Sequence, residues 1–178
     1  MLTQLSRIAS VIEAISEWSG RAVSWLTVFM VIITFIVVIL RYLFNIGWIA
    51  LQESVTYLHV LVFMVGAAYT LRHDGHVRVD IFYQRMTPRK KAMVDLFGAL
   101  CLLLPMALFI LVESWGYVAT SWSLLEGSPE SGGIPAVFLL KSVILLMAVL
   151  VLLQGLSQAI QSALTLASPD GDTADREG

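Results

Sequence analysis

Four long apolar runs, separated by short polar stretches, organise this chain of 178 residues. They cover about 22–44, 49–71, 94–118 and 134–156. The first carries no charge between Arg21 and Arg41. The second is interrupted by Gln52, Glu53 and His59, the third holds Glu113 near its end, and the fourth contains Lys141. Each run is close to the roughly 20 residues with which a helix crosses a bilayer. Bare hydrocarbon admits helices or closed barrels, and these runs are too long and continuous for barrel strands. The pattern predicts an all-α integral membrane protein with four transmembrane helices.

Composition removes the soluble alternative. Only 13% of residues are charged, against about 25% in an ordinary soluble domain. Four buried helices would leave almost nothing to cover them. A cleaved signal peptide is a poor account of the first run, because Arg41, Tyr42 and Leu43 follow it in place of a small-residue cleavage site. The lone Cys101 reads as a packing residue within an apolar run.

Ahead of the first span, residues 1–20 place Leu5, Ile8, Ile12 and Ile15 at helical spacing among polar neighbours. This predicts an amphipathic interfacial helix that turns into the membrane near Gly20, the alternative being that the segment is simply the loose start of the first helix. Residues 21–158 form the membrane domain. Residues 159–178 are expected to be a disordered, polar, acidic tail. Thr87 and Pro88 mark a helix start leading into the third span.

Charge then sets an orientation. Arg72, Arg78, Arg85, Arg89, Lys90 and Lys91 crowd the stretch between the second and third spans, whereas the loop before Ile134 has Glu126 and Glu130 and no base. The positive-inside rule places the basic loop and both termini in the cytoplasm. Arg41, Glu53, Glu113 and Lys141 then gather toward the outer side. Charges in hydrocarbon need a partner, a route to the surface, or a protein face. Lys141 is expected to pair with Glu113 or Glu53, fixing helix packing; a substrate or ion pathway is the alternative. Trp48, Trp115 and Trp122 suit an outer aromatic belt.

Little else suggests chemistry. His59 is expected to pack within the bundle. His73 and His76 flank Asp74 and Gly75, which reads as a solvated turn before it reads as a metal site. No nucleotide loop, thiol pair or catalytic geometry is legible, so no catalytic residue, cofactor or metal is assigned. The basic loop fits anionic lipid headgroups better than nucleic acid.

Several segments together resemble a known family. Arg41-Tyr42-Leu43-Phe44-Asn45 leaves the first span, and Trp48 and Glu53 open the second. Gly66-Ala67-Ala68-Tyr69 precedes Gly75-His76-Val77-Arg78-Val79-Asp80, and Gly133-Ile134-Pro135 leads into the fourth span. Over about 20–158 the chain resembles the small, DctQ-like membrane subunit of tripartite ATP-independent periplasmic (TRAP) transporters. The resemblance implies three partners: a large membrane subunit that carries an organic acid inward on a sodium gradient, a periplasmic binding protein, and membrane lipid. It implies a bracing role for the small subunit and a part in docking the binding protein. Trp48 and Glu53 would serve assembly or docking. Arg72, His76, Arg78 and Asp80 would anchor the cytoplasmic loop against lipid or the large subunit. A free-standing four-span adaptor or sensor, or a membrane enzyme, would be the competing readings. A compact bundle and a splayed scaffold both remain open at this point.

Overall fold

A computed structural model of the chain describes residues 2–75 and 83–167. His76, Arg78 and Asp80 lie outside the described residues. The described chain is helical: α1 is Leu2–Leu43, α2 is Ile49–Arg72, α3 is Pro88–Ser123 and α4 is Val137–Ala167. All four are long and apolar enough to cross a membrane.

α1 is one unbroken helix of 42 residues, about 63 Å long at 1.5 Å per residue. The turn expected near Gly20 is absent. A Cβ at Gly20 would overlap the Tyr69 ring of α2, so this glycine permits a close helix crossing. The stripe of Leu5, Ile8, Ile12 and Ile15 is unevenly covered: Ile12 is buried while Ile8 and Ile15 are exposed. α1 ends where Asn45 takes φ 55°, and the Ile46 N–H reaches back to the Leu40 carbonyl at 2.9 Å. Asparagine tolerates that left-handed position better than most residues.

α3 starts with Pro88 at its first turn, as expected. Thr87 occupies the cap position, but its hydroxyl makes no capping bond and is buried without a partner among the described residues. A π-helical turn, Ala99–Leu103, precedes Pro105. Proline lacks an N–H and crowds the carbonyl four residues earlier, and the widened turn accommodates that defect without ending the helix. The α4 residue Gly155 faces this turn; an added Cβ would sit 2.8 Å from Leu103 Cδ2.

α4 touches each of the other helices; α1 and α2 pack on each other and on it, while α3 packs chiefly on α4. The result is a three-helix group with α3 leaning on one edge. The core joins Val65 and Ala68 of α2 to Val143 and Leu150 of α4. Ala68, Ala148 and Ser157 are fully covered, as expected where small residues let backbones approach without hydrophobic driving force from lipid. α4 runs on to Ala167, past the boundary set at 158, because Ala159 and Ser162 are buried against the bundle.

Candidate functional site

The polar side chains concentrate at the two ends of the helix group. At one end, Glu53 sits one turn into α2. Its carboxylate accepts the Ser128 hydroxyl on one oxygen and the Ile134 N–H, at 2.7 Å, on the other. One acid thus fastens the α3–α4 loop to α2. The loop closes tightly here: the Ser128 N–H donates to the Ile134 carbonyl at 3.1 Å, and a Cβ at Gly133 would fall 2.8 Å from Glu53 Oε1.

Lys141 lies beside this loop, one turn into α4. Its ammonium donates to Glu126 Oε2 at 2.5 Å and stands 4.1 Å from the Tyr117 ring centroid. The expected pairing with Glu113 or Glu53 is therefore corrected. α4 begins at Val137, so Lys141 is shallower than a span from 134 implied and can reach a loop acid. Glu126 also accepts the Ser121 hydroxyl at 2.7 Å. Those bonds, Lys141 first and Ser121 second, hold its carboxyl below the ordinary value of 4.5, against a smaller opposing effect of burial. Trp122 Nε1 donates to Ser142 at 2.7 Å, linking α3 to α4, although the ring is itself exposed. Trp48 and Trp115 are exposed.

At the opposite end, Arg72 Nη1 donates to the Glu13 carbonyl and to Glu17 Oε2, both at 2.8 Å. Arg72 thus ties α2 to α1. Arg21 and His73 also approach Glu17, at 2.6 Å and 3.4 Å. Deeper in, Ser16 donates to Gln154 at 2.7 Å in a buried bond, and Ser157 and Gln161 reach Glu13. A polar pocket of about 470 Å³ opens beside this network, with Asp74, Lys91 and Asp95 in its wall.

The remaining predicted residues stand apart. Arg41 and Glu113 are exposed and have no hydrogen-bond or ion-pair partner among the described residues. His59 is also exposed, stacking on Phe63 at 6.1 Å between ring centroids, and Cys101 is exposed too. Both therefore depart from the packing expected of them. Among the described residues, no three His, Cys, Asp or Glu side chains converge as a metal set. Sequence reasoning missed Ser128, Glu13, Glu17 and the Ser16–Gln154 pair. Only the last had a readable signal, a glutamine within a span-length apolar helix.

A helical bundle with four apolar spans, tied at both ends by structural polar contacts, is the build of a multi-pass membrane protein. The family described as tripartite ATP-independent periplasmic transporters, DctQ component, matches residues 30–165. The chain belongs to this family: it is a component of a transporter and not an enzyme. It is similar to the C4-dicarboxylate TRAP transporter small permease protein DctQ of Vibrio cholerae serotype O1, with 26% identity over 112 residues. That match covers 63% of this chain and 47% of the relative, so the chain spans about half the length of the curated relative it matches. No solved structure matches it. Family and fold together make this a multi-pass protein of the inner membrane.

Proposed function

We propose that this chain is the small permease subunit of a secondary TRAP uptake system, and that it braces the large transport subunit as a fixed frame. The observation that carries this reading is the locking of both ends. Glu53 and Lys141 hold the α3–α4 loop to α2 and α4, while Arg72 and Ser16 hold α1 to α2 and α4. Helices tied at both ends cannot rock past one another, which suits a scaffold and not the moving, substrate-carrying part. Arg41 and Glu113, exposed and unpaired among the described residues, add support, because a charge on an apolar span calls for a facing partner.

In this reading the Arg72 end and both termini are cytoplasmic, following the basic loop, and the Glu53 end is periplasmic. The α3–α4 loop there is the surface on which a binding protein would dock. The proposal extends to coupling to a sodium gradient and to an organic-acid substrate. A C4-dicarboxylate is the first to try, given the name of the Vibrio cholerae relative. The test is sodium-driven uptake of succinate and of a sugar acid by cells carrying the large subunit and binding protein, with and without this chain. Uptake that requires the chain and falls with Glu53→Ala supports the proposal. Undiminished uptake without the chain contradicts it.

A further inference from the structure

α1 outlasts the bilayer. Twenty residues counted back from Leu43, enough for the hydrocarbon, end near Ser24, beside the charged Arg21. Arg72, the last residue of α2, bonds Glu13 and Glu17, so the part of α1 before Glu13 projects past the end of α2. Val11 lies about 20 Å beyond Ser24 along the helix. Yet the outward face there is apolar. Ile8, Val11, Ile15 and Trp18 recur in alternating steps of three and four, with Val11 61% and Trp18 75% exposed. The same steps continue through exposed Ala22, Trp25, Phe29 and Ile32. An apolar seam sustained at this spacing is the contact line of two helices packed side by side. Lipid tails can cover its inner half but not Ile8 and Val11.

Charge says what covers it. Arg7 and Arg21 fall one step before Ile8 and Ala22, on the seam's flank, where paired helices place their bridging charges. Both are exposed. A second, parallel copy of this chain would set Ile12, Ser19 and Leu26 opposite that flank and offer no acid. Trp18, Trp25 and Phe29 alone supply on the order of 350 Å² toward the ~800 Å² per partner of a stable interface. We infer that the outward seam of α1 is where a helix of the large membrane subunit lies, continuing past the bilayer and presenting an acid to Arg7. This rests on the reading of the chain as that subunit's scaffold.

The test is co-purification of the tagged chain with the large permease subunit of the same organism. The double variant Val11→Asp, Ile15→Asp should recover about tenfold less large subunit. Expressed alone, it should keep wild-type helicity and melting. Ser10→Asp, in the same stretch but off the seam, should recover as much as wild type. Arg7→Glu should also lower recovery. Wild-type recovery by the Val11, Ile15 variant overturns the seam and leaves the scaffold reading standing. Failure of the wild-type chain itself to recover the large subunit overturns both. Oxidative cross-linking of two copies through Val11→Cys, in a Cys101→Ser background, would assign the seam to self-association and overturn the proposal.

Discussion

Lys141 and Glu126 form an ion pair at 2.5 Å between the first turn of α4 and the loop before it, with the lysine side chain only 16% exposed. The pair satisfies a cation near the membrane surface from within its own loop. It leaves Glu113, on the exposed side of α3, for something outside the chain.

The pair makes a pH prediction. The folded chain holds the Glu126 carboxyl below its ordinary 4.5, so the stabilisation is fully present above 4.5. It is lost as pH falls through the lower folded value. In detergent, wild type should melt above Glu126→Gln from pH 7 to 5, and the gap should close below pH 4.5. Melting followed by tryptophan fluorescence reads this directly; a gap unchanged at pH 3 would refute it.

Ser16 is 2% exposed and Gln154 4%, and their bond is buried. Ser16→Ala should destabilise the chain by about 1–3 kcal/mol, because the Gln154 amide oxygen loses its donor in a dry contact. Pairing it with Gln154→Leu should recover part of the loss. A denaturant series in mixed micelles would show whether the two effects are additive, which would deny the coupling.

Leu125 adopts φ 46° at the end of α3. A branched side chain in that left-handed position costs roughly 1–2 kcal/mol. Leu125→Gly should therefore raise stability by about 1 kcal/mol despite the added freedom of the unfolded chain. A lower melting temperature would mean that the exposed leucine is held by contacts that offset its strain.

The spans were legible because each apolar run is bounded by charges or turn residues, as with Arg41 and Asn45 after the first and Pro88 before the third. What lay hidden was which side of each helix packs. In a membrane helix the lipid-facing and protein-facing sides are equally apolar, so periodicity separates them poorly. The Leu5–Ile15 stripe gave an apolar side of α1 but not that Ile12 alone of its isoleucines would be buried. Gly20 looked like a hinge because its closeness to Tyr69 is set by a residue on another helix. The partner of Lys141 turned on where α4 begins, a matter of one turn. Glu53 stood out as a charge in a span, but its work of holding Ser128 and Ile134 needed the folded loop.

The central claim is that this chain is a fixed brace for a larger transport subunit. The most direct measurement is the composition of the complex purified through a tag on this chain after co-expression with the large permease. The account predicts one defined assembly with the two subunits in constant ratio across a gel-filtration peak. It also predicts that Glu113→Leu lowers the yield of that assembly without unfolding the chain. A chain that elutes alone, stable and free of the large subunit, would contradict the account.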